Sequence, residues 1–386
     1  MRFVRSLIHE LRYTLRSRDV IILLLLGPVV LTVLFGGAYV NTYVNDIPIV
    51  ILDEDDSSLS RTINMHFNEN DRFRVAAFVG TVEEVEEMVS SGQAFMGICI
   101  PQNFSEDVLK GASPQVLVMV DGANIVIGNS AYSTAAGIVQ TIAAGAEIKR
   151  LEGKGVLPDT AYSMANPFMF TDRMMYNPKL SYLNYLLLGY IAVFLQQVML
   201  SGVGIQMLKD SGSIAGTGNG IIRAVLIKIL ACAFYAILSV AGAIGAAAWI
   251  FHVNIRGSVL AALSFCLLFA FAISGPAIML VSLTKDKLKY MQISYMLSLP
   301  AFITCGYVWP QDQMPQVLVF LLKCFWPLIN FGKPFAELLF KGVFPVKGII
   351  GLAIYTAFWL PVSVLFFNFR FGKSSKASGI PALLAE

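Results

Sequence analysis

VIILLLLGPVVLTVLFGGAYV, residues 20–40, runs without a single charged side chain. An α-helix rises about 1.5 Å per residue, so this stretch is long enough to cross a hydrocarbon core of roughly 30 Å. A cleaved signal peptide would have a shorter apolar region, about 7–15 residues, followed by a small-residue cleavage site. Tyr39-Val40-Asn41 offers no such site, and we read the stretch as a retained transmembrane anchor. Residues 2–18 precede it. Phe3, Val4, Leu7, Ile8, Leu11 and Leu15 recur there at spacings of three and four, while Arg2, Arg5, Arg12, Arg16 and Arg18 occupy other positions. The pattern predicts an amphipathic helix at the headgroup plane, apolar face toward acyl chains and arginines toward anionic lipid. An ordinary surface helix is the bland alternative.

The rest of the composition agrees with membrane residence. Of 386 residues, 56% are hydrophobic and 14% charged, and the mean hydropathy is +0.68. Soluble domains carry about 25% charged residues, so the apolar surplus here must be solvated by lipid. The net charge of +3 conceals a division. Residues 41–182 hold 18 acidic and 9 basic side chains, a balance of −9, and the remainder is +12. The basic residues are scattered between apolar runs, which fits membrane topology and argues against nucleic-acid binding. Of the five cysteines, only Cys99 falls in 41–182, so that segment holds no internal disulfide. His9, His66 and His252 form no metal-ligand pattern.

Within 41–182, strands are expected at 47–53, 72–79, 94–101 and 115–121. Helices are expected at 57–68, 81–91, 103–110 and about 123–152, with Asp56 or Ser57 and then Thr81 as N-caps and Glu84 at a capping-box position. Strands alternating with helices predict a small α/β domain, and 153–180 reads as more irregular. Further spans are expected at 182–208, 224–250, 258–283, 289–308 and 347–368. Pro310, Pro315, Pro327 and Pro334 break residues 310–346, which suit short helices that dip into the outer leaflet and return. The expected organisation is therefore an interfacial helix (1–19), a first span (20–40), an extracytoplasmic α/β domain (41–181), five more spans (182–371) and a cytoplasmic tail (372–386). The fold class is a polytopic α-helical membrane protein of six spans with an inserted α/β domain.

Orientation follows from the basic residues of the short loops. An inside N-terminus places Arg2, Arg5, Arg12, Arg16, Arg18, Lys209, Arg223, Lys285, Lys287, Lys289, Arg370, Lys373 and Lys376 inside. Lys323, Lys333, Lys341 and Lys347, on the broken outer segment, are the exception.

No GxxxxGK[ST] run occurs; Gly372-Lys373-Ser374 resembles its tail, but Phe367 stands where the first glycine belongs. There is no HExxH, no GxSxG and no paired-carboxylate site on convincing scaffolding, so no catalytic residue, metal ligand or cofactor site is expected. Asp53, Glu54, Asp55 and Asp56 lack EF-hand spacing and read more simply as a strand end and helix cap. Polar residues inside spans are costly in lipid unless paired. Gln196, Gln197 and Ser201 in the second span are therefore candidates for a translocation path, with helix–helix hydrogen bonding an equal alternative. Lys228 is expected to snorkel toward the inner surface, and Gly275-Pro276 and Pro300 mark bends.

Several segments together resemble one family. IPIVILDEDDSSLSR (47–61), GQAFMGICIPQNFSEDVLKG (92–111), VMVDGAN (118–124), MMYNPKLSYLNYLLLGYIAVFLQQV (174–198) and CGYVWPQDQMPQVLVFLLKCFWPLINFGKPFAELLFKG (305–342) occur in order. The chain resembles the membrane permease of ATP-binding-cassette type-2 exporters, the class with a large extracytoplasmic domain after the first helix. The resemblance implies an efflux permease of the bacterial cytoplasmic (inner) membrane, paired with a second permease copy or a paralogue. Separate cytoplasmic ATPase subunits would bind ATP and Mg, and a periplasmic adaptor is a further partner of some such systems. It also implies ATPase coupling through the N-terminal helix (Arg5, Arg12, Arg16) and the loop after the second span (Lys209, Gly216, Thr217). That loop lacks the glutamate-rich run usual in the family, and Leu188-Gly189 stands where Pro-Gly is common. Its glycines at 212, 216, 218 and 220 predict a segment without rigid helix. A membrane-anchored sensor or scaffold is the second reading, and an intramembrane enzyme, lacking paired ionisable residues, the third.

Overall fold

Ile47–Asp53 (β1) alternates so that Ile47, Ile49 and Ile51 join one apolar cluster while Val50 and Leu52 join another. A strand buried on both faces reads as a continuous apolar run, and IPIVILD is such a run. The structure, a computed structural model, describes residues 2–40, 44–168, 173–177, 181–216, 220–284 and 286–378. Pro178, Thr217, Gly218 and Lys285 lie outside the described residues, as do the side chains of Arg2, Lys373 and Lys376. The chain divides into two compact units, Tyr43–Arg173 on one hand and Met1–Thr42 with Met174–Glu386 on the other.

The inserted unit is an α/β domain. Its sheet has the order β2-β1-β3-β4, with β2 at Phe73–Val79, β3 at Met96–Ile100 and β4 at Leu117–Val120. β1 runs parallel to β2 and β3, and β4 is antiparallel to β3. Ser58–Asn68 and the long helix Ile125–Gly153 contribute Ile63, Phe67, Ala131 and Ala135 to the core on one face. Val82–Ser90 sets Val85 on the other. That helix approaches so closely that a Cβ on Gly97 would lie 2.1 Å from Val85. Ser57 caps the first helix in a reciprocal capping box with Ser60, and Thr81 caps the second at the Glu84 amide. Glu84 Oε2 accepts from Gly80 N rather than from the cap residue, so the expected second capping box is not formed. Within 153–180, Pro158–Ala165 forms one further helix.

Two of the motifs meet in this domain. Asp53 Oδ1 accepts from the amides of Asp55 and Asp56, its Oδ2 accepts from Asn64, and Asp55 Oδ2 accepts from Ser105 N at 3.1 Å. Asn103 sits at φ 60°, a left-handed turn that asparagine tolerates. The turn lets Phe104 bury itself directly after β3. The acidic run therefore ties two loops together.

The other unit is the helix bundle. Among the described residues, five helices are long and apolar enough to cross a membrane: Arg18–Ala38, Tyr182–Lys209, Ile221–Trp249, Val259–Leu283 and Val346–Gly372. These are called here the first, second, third, fourth and last spans. The expected span at 289–308 is the shorter helix Lys287–Thr304, less apolar because Lys287, Lys289 and Gln292 fill its first turns. The broken outer segment instead folds as Gln316–Phe325 followed by Pro327–Lys341, bent by 105°, and this pair qualifies as a further broken span. Backbone carbonyls freed at such a break need partners in lipid. The last span supplies them: Tyr355 Oη donates to Phe325 O and Trp359 Nε1 to Cys324 O.

Glycines let the second span pack tightly. A Cβ on Gly204 would fall 2.0 Å from the Tyr290 ring, and one on Gly189 2.0 Å from Tyr307. Small residues at such contacts are how helices approach in lipid, where no hydrophobic force draws them together.

Candidate functional site

The helix Arg2–Arg16 carries three stripes, because successive residues turn by about 100°. Val4, Ile8 and Leu15 make one stripe and are exposed. Arg5, Arg12 and Arg16 make a second, also exposed and in no ion pair among the described residues. The third holds Glu10, Tyr13 and Thr14 and faces the bundle. Thr14 is fully buried. The face that meets protein thus carries these polar groups beside Leu11, which packs on the bundle core, and the stripe of Val4, Ile8 and Leu15 is left for acyl chains.

What it meets is a buried ionic cluster. Lys228 Nζ in the third span lies 2.7 Å from Glu10 Oε1 and 2.6 Å from Asp210 Oδ2, with only 6% of the Lys228 side chain exposed. Tyr13 Oη donates to Asp210 Oδ1 at 3.2 Å, and Lys209 and Lys228 both stand over the Tyr13 ring. Around this core, Gln206 Nε2 donates to Thr14 Oγ1, Tyr235 Oη to Leu11 O, and Arg223 to Ser6 Oγ. Lys228 therefore does not snorkel. Two carboxylates brought to it from other elements keep it in place.

The loop after the second span also departs from expectation. Ser211–Gly216 is helical despite its glycines. Its apolar residue Ile214 is buried, and Ser213 Oγ donates to Asp210 O, so packing overrides weak local propensity. The cluster, the arginine stripe and this short helix share one end of the bundle. Of the residues expected to couple, Arg5, Arg12 and Arg16 lie together, and Lys209 stands over Tyr13. Gly216 ends the short helix and Thr217 lies outside the described residues. Glu10, Tyr13 and Asp210 were missed. The usable signal was scarcity: only seven acidic residues lie outside 41–182, so a lysine inside a span has few candidate partners.

Gln196, Gln197 and Ser201 are a separate matter. Gln196 is fully buried, donates to Ser298 Oγ at 2.9 Å and accepts from Trp326 Nε1 at 2.8 Å. Both ends of its amide are taken up in joining the second span to Lys287–Thr304 and the outer hairpin. Gln197 donates to Ser201 Oγ, while its Oε1 is buried without a hydrogen bond among the described residues. Among those residues no three His, Cys, Asp or Glu side chains converge as a metal would require.

A family model described as ABC-2 family transporter protein matches residues 18–366. The chain belongs to the ABC-2 transporter family. No curated protein matches it. Family membership and the multi-span bundle with its inserted domain make it a multi-pass membrane protein of permease-type architecture. The family match begins at residue 18, so it leaves out Arg2–Arg16 and the stripe carried there.

Proposed function

We propose that the chain is the transmembrane permease subunit of an ATP-driven exporter in the bacterial cytoplasmic membrane. Separate cytoplasmic ATPase subunits bind ATP and Mg, and two permease subunits line the pathway. The observation that carries this reading is mechanical. Arg5, Arg12 and Arg16 project from a helix whose opposite face is joined to the second and third spans through Lys228. A partner that moves the arginines moves those spans with them. Lys209 and the Ser211–Gly216 helix extend the same surface.

The test is co-purification with a cytoplasmic ATP-binding-cassette ATPase, from membranes expressing both. Charge reversal at Arg5, Arg12 and Arg16 is expected to reduce recovery of the ATPase at least about tenfold, as loss of several charge-assisted contacts does. Recovery unchanged in a variant that melts normally would remove the coupling surface from the proposal.

Sidedness is tested on intact cells with a membrane-impermeant maleimide. Burial and the nearby Glu54 carboxylate push the Cys99 thiol up, lowering its reactive thiolate fraction. The native thiol of the inserted domain should therefore react slowly. Ser58→Cys, exposed on that domain, should label in sealed cells and Ser374→Cys only after lysis. Labelling of Ser374→Cys in sealed cells would overturn the inside placement of the tail.

A further inference from the structure

The lysines that break the positive-inside pattern have a structural counterpart. A cavity of about 250 Å³ opens where the second span begins, on the end at which the chain arrives from the inserted domain. Asn184, Tyr185, Tyr307, Lys333, Glu337 and Lys341 line its polar part. Tyr185 and Tyr307 stack with ring centroids 5.2 Å apart, and Tyr185 Oη donates to Tyr307 O, so the aromatic wall is fixed. Lys341 pairs with Glu337 at 2.8 Å. Lys333 is half-buried and meets no carboxylate within ion-pair distance among the described residues. Among the described residues of the lining, two cations and one anion leave one positive charge in surplus.

A half-buried, uncompensated ammonium is costly unless something supplies the missing charge. Leu188 and Phe340 complete an apolar wall. On the same broken segment, Gln316–Phe325 exposes Val317, Phe320, Leu321 and Phe325, a surface suited to acyl chains. Pockets for whole drug-sized ligands occupy about 300–1,000 Å³. This one is smaller, and it suits a headgroup whose tail remains outside.

We propose that the cavity is a binding site for a phosphate-bearing anion, with Lys333 and Lys341 facing the phosphate and the tyrosine pair walling its substituent. The geometry favours the headgroup of an anionic lipid over free phosphate. The site is independent of ATPase docking and would survive the failure of that reading.

The full chain in neutral detergent is titrated with phosphatidylglycerol, phosphatidylcholine and inorganic phosphate, with binding followed by native mass spectrometry. Wild-type protein is expected to prefer phosphatidylglycerol over phosphatidylcholine by about ten- to thirtyfold, the value of two lysines near an anionic headgroup. Lys333→Gln with Lys341→Gln should reduce that preference to within about twofold. Lys323→Gln, on the same hairpin but outside the cavity, should leave it intact. Glu337→Gln removes the only acid among the described lining residues and should tighten binding about three- to tenfold, a gain that misfolding does not produce. Displacement of the lipid by millimolar inorganic phosphate would assign the site to a free anion, and failure to displace it would assign the site to lipid. An undiminished preference in the double variant, weaker binding in Glu337→Gln, or an equal loss in Lys323→Gln would each overturn the site.

Discussion

Replacing Lys228 with methionine is expected to lower the stability of the bundle by about 3–5 kcal/mol, the cost of breaking a buried ion pair on one side only. The two carboxylates of Glu10 and Asp210 converge on one nitrogen, and their side chains are 13% and 20% exposed. Without the ammonium, neither finds water easily, and each repels the other. Tyr13 compensates Asp210 alone. Single neutralisation, Glu10→Gln, should cost less, about 1–3 kcal/mol, because Asp210 still answers the lysine. The triple variant Lys228→Met, Glu10→Gln, Asp210→Asn should recover most of the loss, since a buried charge cluster replaced as a whole is often nearly neutral. Thermal unfolding in detergent measures all three. Trypsin adds a local readout, because a released N-terminal helix should be cut faster at Arg12 and Arg16. An unchanged melting temperature in Lys228→Met would mean that the cluster does not hold the helix.

Gly257→Ala is expected to cost about 2–3 kcal/mol, toward the upper end of what overpacking does. A Cβ there would lie 1.8 Å from the carbonyl oxygen of Leu338, and backbone cannot swing aside as a side chain would. The amides of Arg256 and Gly257 both donate to Leu339 O, so relief by moving the loop breaks two hydrogen bonds. The alanine would push on Gly332–Lys341, the helix that carries Lys333 and Lys341. Gly145→Ala is the control. Nothing lies within 4 Å of a Cβ at that helix position, and alanine there should be neutral or stabilising by up to about 1 kcal/mol. Equal melting temperatures for wild type and Gly257→Ala would refute the argument.

Much of the architecture was legible because it rests on local periodicity. IPIVILD announces a two-faced strand, and the charge-free run at 20–40 announces a span. The prolines of 310–346 announce the break. Lys287–Thr304 was harder: its apolar content is moderate, and its place is set by contacts such as Ser298 with Gln196. The coupling end was only half legible. A stripe of arginines is a local pattern, but the partners of Lys228 lie on other elements, Glu10 at a separation of 218 residues. No periodicity reports such a pairing. Reading Lys228 as a snorkelling side chain assumed that nothing else would come to meet it, and reading Ser211–Gly216 as irregular weighed glycine above a buried isoleucine.

That separation of 218 residues also has a consequence in time. Glu10 leaves the ribosome long before Lys228, and at about 5–20 residues per second the interval is roughly 10–45 s. For most of it neither the second nor the third span is there to receive the N-terminal helix, because Gln206 and Asp210 are made only shortly before Lys228. Its exposed Val4, Ile8 and Leu15 and its arginines suit that waiting state, and they remain exposed in the finished fold. Docking through Glu10 can begin only once the third span is in the membrane. The cluster therefore makes closure of the N-terminal helix a late step of biogenesis, so a half-inserted chain does not present its arginines from a fixed support.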